Sequence, residues 1–259
     1  MIKRSNAGRI SIVYVVFLLI MIVFILLFNT VYDFYHVNSY SMFPLLKHGD
    51  VLLIKKSKIT DKIINRGSIY VFDLPLYHSN KKYFANANND LFVKRCVAIS
   101  GDTFRILKQQ IFINSNLWET KNINSGKIDE DKILDISNPI YGINLSRVFY
   151  PHDSTYSWNL NNIGPLYIPK KNTKIQLTDS MKILYKDIIF YETKGVLNDT
   201  SLSMDEYTFK KNYYYFIGDN FYGSVDSRHW GMIPEENIIG EVKYIVWSKS
   251  NKYFLKRLQ

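Results

Sequence analysis

Cysteine is almost absent from this sequence: Cys96 is the only one in 259 residues. No disulfide can close within the chain, and no cysteine-based zinc site can be built. A single cysteine leaves the redox compartment open, since exported proteins without disulfides are allowed. Histidine is sparse as well, with five residues. No H-E-x-x-H or other carboxylate–histidine pattern of a metal hydrolase occurs, so neither a metal nor another cofactor is expected. Internal repeats are missing, as are helix-turn-helix and RNA-binding signatures. So is the strand–helix alternation that marks a parallel sheet.

One feature fits a nucleic-acid binder: 33 Lys and Arg face 23 Asp and Glu, for a net charge of +10. The cations are scattered rather than gathered into a patch. A Lys- and Asn-rich solvated surface, aided by attraction to anionic lipid headgroups, accounts for them without a nucleic-acid partner.

The longest apolar run, free of any charge, is Ile10 to Phe28, ISIVYVVFLLIMIVFILLF. As a helix it measures about 28 Å, close to the ~30 Å of a bilayer core. A cleavable secretory signal has a shorter apolar region followed by small residues. Here Asn29-Thr30-Val31-Tyr32-Asp33 follows instead, so an uncleaved signal anchor is expected over 10–28. Lys3, Arg4 and Arg9 precede the span, and no Lys or Arg follows it until Lys47. The positive-inside rule then puts residues 1–9 in the cytoplasm and the rest outside the cytoplasmic membrane, on a single-pass chain.

Beyond the span, short apolar runs are bounded by turn residues: Val51–Ile54, Ser68–Phe72, Leu91–Ile99, Gln110–Ile113, Tyr213–Ile217 and Ile238–Trp247. With 20 Tyr and 16 Phe, this pattern predicts a mostly β protein with an antiparallel β domain. Its expected extent is 34–104 and 206–259. The Asn-, Lys- and Ser-rich stretch 105–205 reads as a β-rich insertion.

Three constellations carry chemistry. Ser39-Tyr40-Ser41-Met42-Phe43-Pro44 runs up to Gly49-Asp50 about a dozen residues past the span. At no more than ~3.5 Å per residue, Ser41 stays near the bilayer's outer face. Phe92-Val93-Lys94-Arg95-Cys96-Val97 places a cation on each face of a strand. On an edge strand both would reach to water. Taken out of water, a lysine loses basicity and can serve as a neutral base, whereas an arginine stays charged. If either is a base, it is Lys94. The third is Gly218-Asp219-Asn220-Phe221-Tyr222-Gly223-Ser224-Val225-Asp226-Ser227-Arg228-His229-Trp230-Gly231, a polar loop between two apolar runs. The Asp226/Arg228 spacing suggests that it is held by its own ion pair.

In this order and behind one N-terminal span, these motifs resemble those of bacterial type I signal peptidases. The resemblance covers about half of the outer part directly. It implies that Ser41 is the nucleophile and Lys94 the general base. It further implies that Ser39 and the Ser41 N–H form the oxyanion hole and that Ser224 orients Lys94. Asp226 and Arg228 would support the loop as an ion pair, and Asp219 would be structural. The substrates implied are signal peptides of secretory precursors, with small residues at the −1 and −3 positions, bound as an added strand by a monomer at the lipid bilayer. Some positions depart from the family pattern. Asn38 stands where proline is frequent, Leu45 where threonine is common, and Ser68 where aspartate is usual. Phe221-Tyr222-Gly223 replaces an Arg-x-Asn-like stretch. Three alternatives remain at this level: a Ser/His/Asp triad drawing on His36, His48 or His229, a non-enzymatic surface β protein, and a self-cleaving Ser/Lys repressor. The last would carry a DNA-binding domain where this chain has its apolar span.

Overall fold

A computed structural model of the chain describes residues 7–56, 63–75, 90–119, 123, 148–194, 204–248 and 253–258. The apolar run forms helix α1, Ala7–Val31, longer at both ends than the stretch expected to span. Its side chains from Ile12 to Leu27 are exposed, and none of them is buried against the other described residues. A helix apolar on all sides and unburied fits a single-pass membrane anchor. It passes without a linker into strand β1, Tyr32–His36. Lys56 fastens this junction: its Nζ donates to the Asn29 carbonyl at 3.0 Å, one of the acceptors a helix end leaves open, and lies 3.1 Å from Asp33 Oδ2.

The strands that follow are β2 (Val51–Lys56), β3 (Ile69–Asp73) and β4 (Leu91–Ala98). The middle of the chain adds β5 (Thr103–Leu107), β6 (Gln110–Ile113), β7 (Asn116–Leu117), β8 (Asn162–Tyr167) and β9 (Lys174–Gln176). After helix α2 (Asp179–Glu192) come β10 (Glu206–Thr208), β11 (Tyr213–Ile217) and the single turn α3 (Ser227–Trp230). The chain closes with β12 (Ile233–Pro234), β13 (Ile238–Ser248) and β14 (Tyr253–Arg257). The main sheet runs in the order β1-β2-β13-β3-β4-β11-β12, with β14 also on β13, and every pairing is antiparallel. A second sheet has the order β7-β6-β5-β8, and β9 pairs with β10. The expectation of a mostly antiparallel β protein behind one apolar helix therefore holds.

Two elements stand out against the sequence reading. The stretch 105–205 was expected to form a β-rich insertion, and it also contains α2, which was not anticipated. Thr178 caps this helix by accepting from the Met181 N–H at 3.3 Å, and Leu184, Tyr185, Ile188 and Ile189 form its buried stripe. β1 was not anticipated at all. Much of the expected insertion, residues 120–122, 124–147 and 195–203, lies outside the described residues. What is described packs on the main sheet: Phe104, Leu166, Leu184 and Ile188 share one core with Val97, Tyr215 and Ile217.

Position in the sheet decides the state of the Lys-Arg pair. β4 lies between β3 and β11, not at an edge. Both of its faces are covered, and Lys94 and Arg95 are only 3% and 1% exposed. Neither cation reaches to water as an edge strand would allow.

Candidate active site

Ser41 stands in a tight turn between β1 and β2. Phe43 N–H donates to the Tyr40 carbonyl at 3.0 Å and Leu46 N–H to the Met42 carbonyl at 2.9 Å. Met42 and Leu46 are fully buried and root this turn in the core beside Leu52 and Val71. Gly49-Asp50 closes it. The Asp50 carboxylate accepts from Lys47 N–H at 2.9 Å and from the Ser248 hydroxyl at 2.6 Å, tying the turn to the end of β13.

Opposite lies β4. Lys94 Nζ is 2.8 Å from Ser41 Oγ and donates to the Val93 carbonyl at 3.0 Å. The Phe92 ring centroid is 5.9 Å from the amine. Burial pulls the Lys94 pKa down from 10.5 to about 8. Asp226 pulls it up, Arg228 pushes it down and Asp219 pulls it up, and burial outweighs them all. Ser39 Oγ sits 3.1 Å from Ser41 Oγ. An amine whose proton is loosened by burial, touching a hydroxyl with a second hydroxyl alongside, is the donor–acceptor set of a base-activated nucleophile.

The loop after β11 holds this pair in place. Asp219 takes Arg95 in a two-pronged ion pair, Nε to Oδ1 at 2.7 Å and Nη2 to Oδ2 at 2.6 Å. Asp226 does the same for Arg228, with both contacts at 2.7 Å. It also accepts from Gly218 N–H at 3.0 Å and caps α3. Burial disfavours ionised Asp226, but the charge of Arg228 and the contacts from His229 and Arg228 win and hold its carboxyl far below the usual range. Gly218 is required where the two chains cross. A Cβ there would lie 2.4 Å from the Ser41 carbonyl oxygen and 2.2 Å from Ser224 Oγ.

All seven residues singled out from the sequence converge here: Ser39, Ser41, Lys94, Asp219, Ser224, Asp226 and Arg228. One contact differs. Ser224 does not bond Lys94; among the described residues its hydroxyl makes one hydrogen bond, at 3.5 Å, to the Val225 carbonyl. The amine instead meets its own strand's Val93 carbonyl. None of the three histidines of the triad alternative bonds Ser41 among the described residues. His48 stacks on Tyr40, and His229 Nδ1 accepts from Asp226 N–H at 3.2 Å. The sequence alone assigns no role to Asn220. Its N–H donates to the Ser41 carbonyl at 3.1 Å and its amide to the Tyr40 carbonyl at 3.3 Å, which ties the loop to the turn that holds Ser41. Its place directly after Gly218-Asp219 was the available signal.

Residues 9–247 match the family described as signal peptidase, peptidase S26. The chain belongs to that family. This S26 peptidase, a hydrolase, is 30% identical over 230 residues to the signal peptidase I of Buchnera aphidicola subsp. Baizongia pistaciae, covering 82% of this chain and 68% of that one. It is also 30% identical over 239 residues to the signal peptidase I of Buchnera aphidicola subsp. Schizaphis graminum, covering 86% and 70%. A crystal structure of a signal peptidase I from Enterococcus faecalis V583 overlays on 70% of the S26 peptidase and 98% of its own chain, at 14% identity. The TM-score of that overlay is 0.34, too low to argue from.

Proposed function

We propose that this enzyme removes N-terminal signal peptides from exported precursors with a Ser41/Lys94 pair, as a monomer held at the bilayer by α1 with its catalytic domain on the extracytoplasmic side. The observation that carries this reading is the 2.8 Å contact between a 3%-exposed lysine and an 8%-exposed serine.

In the neutral state the Ser41 hydroxyl donates to Lys94 Nζ while the amine donates to Val93. As Ser41 Oγ bonds to the scissile carbonyl carbon, its proton passes to the amine. The carbonyl oxygen takes the negative charge, stabilised by the Ser39 hydroxyl and the Ser41 N–H. The ammonium then gives the proton to the leaving amine, the C–N bond breaks, and an acyl-enzyme remains. Water attacks the ester with Lys94 again as base, releasing the mature chain's partner fragment and restoring Ser41.

The test is cleavage of a precursor by the purified chain in vesicles, with the cut mapped by mass. One cut at the signal-peptide boundary is expected, with a rate that rises with pH through about 8 as Lys94 loses its proton. No cleavage, or a rate independent of pH in that range, would overturn the reading. Within the site, Ser39→Ala should lower kcat by about 10²–10³ with little change in KM, the usual loss when one oxyanion donor is removed. Steady-state kinetics on a peptide substrate checks this, and an unchanged kcat would remove Ser39 from the oxyanion hole.

A further inference from the structure

Phe221 lies in the stretch where this chain departs from the family pattern, and it is fully buried. Its ring centroid is 4.3 Å from Arg228 Cζ. The guanidinium it faces is completely enclosed and unevenly partnered. Nε and Nη2 bind Asp226, Nη2 also donates to the Ser224 carbonyl at 3.2 Å, and Nη1 has no hydrogen-bond partner among the described residues. A buried donor with no acceptor is costly, and the negative face of an aromatic ring is what compensates a cation in that position. The ring is itself fixed. It meets Tyr222 edge-on at 5.2 Å, and the Tyr222 hydroxyl donates to Gln109 in the β5–β6 turn.

We propose that Phe221 is a positioning residue, whose ring holds the Arg228 cation against Asp226 and thereby keeps the charges beside Lys94 in their working arrangement. The groups that act on Lys94 are Asp226, Arg228 and Asp219 from the loop. Arg95 on β4 is bound by Asp219, His229 contacts Asp226, and Tyr215 on β11 and Tyr222 feel the charge of Arg228. Arg228 favours the neutral amine and Asp226 the ammonium. A guanidinium that drifts from this place leaves Asp226 less neutralised, so the amine holds its proton to higher pH. Weakening the ring's hold therefore moves the acid limb of the pH–rate profile upward and leaves the plateau above it intact. Damage to packing alone would lower the plateau at every pH.

The inference rests on the Ser41/Lys94 reading, and the experiment separates the two. Mono-, di- and trifluorophenylalanine at position 221 weaken the ring's negative face in steps with little change of shape. Peptide cleavage by the full chain in detergent is followed across pH for each, with Phe221→Leu alongside and Lys94→Met as the control. Expected is a stepwise upward shift of the acid limb, reaching about a threefold loss of kcat/KM at neutral pH for Phe221→Leu, with KM unchanged. A limb that stays fixed across the fluorinated series, with Lys94→Met inactive, overturns the inference alone. Retained activity in Lys94→Met overturns the inference together with the reading beneath it.

Discussion

Lys94→Met is expected to be inactive and, at neutral pH, more stable than the native chain. The loss of activity follows from the removal of the base. General-base catalysis contributes about 10²–10⁴ in rate, and without it the Ser41 hydroxyl has no acceptor for its proton. The gain in stability follows from the cost of enclosing an amine. Lys94 changes from 10.5 to about 8 on burial, so at pH below 8 the folded state carries a proton that its surroundings disfavour. A shift of that size corresponds to about 3 kcal/mol, of which the lost contacts to Ser41 and Val93 return a part. The sign can be followed with pH. Between about 8 and 10.5 the unfolded chain still binds the proton that the folded chain has released, so native stability rises. The advantage of methionine is therefore full below pH 8 and fades by 10.5. Urea denaturation at several pH values measures it, and a variant destabilised at neutral pH would show that the amine is not buried as described. Ser41→Ala should be equally inactive without this stability signature.

Asp219→Leu should cost about 3–5 kcal/mol, because it strands Arg95 with its charge enclosed and two donors unanswered. Arg95 is 1% exposed, and its remaining acceptor is the Gly67 carbonyl at 2.5 Å. The double change Arg95→Met/Asp219→Leu should recover most of that loss, since an apolar pair needs no compensation. The half-exposed pair of Lys56 and Asp33 offers a contrast on the same protein. Breaking it should cost less than about 1 kcal/mol. Thermal and urea unfolding of the three variants decide this, and an Asp219→Leu chain as stable as the native one would refute the assignment of Asp219 as the anchor of β4.

The side chains that meet at the candidate site were easier to read from the sequence than their surroundings, for reasons of range. Gln110–Ile113 and Tyr213–Ile217 were legible to the residue because turn residues bound them locally. The burial of Lys94 was not legible, because alternation gives two faces but does not say whether a strand is central. That depends on β3 and β11 arriving from distant parts of the chain. Helix α2 was missed because its stripe, Leu184, Tyr185, Ile188 and Ile189, is short and interrupted by Lys186 and Asp187, which resemble the surrounding loop. β1 was missed because Tyr32-Asp33-Phe34-Tyr35-His36 follows the apolar run without the regular alternation or bounding turn residues that marked the other strands. The Ser224 contact was carried by resemblance alone, and the amine's second acceptor proved to be a backbone carbonyl, which no side-chain motif encodes.

Helix α1 and β1 meet with no hinge, and Lys56 grips both sides of the joint. Such a connection acts as a lever. Bilayers of different thickness tilt an apolar helix by different amounts. Where α1 spans a bilayer, as proposed, a tilt would be passed through Val31–Tyr32 to β1, which leads into the turn that holds Ser41. Lipid composition would then steer how Ser41 faces an incoming chain, without touching its 2.8 Å contact with Lys94.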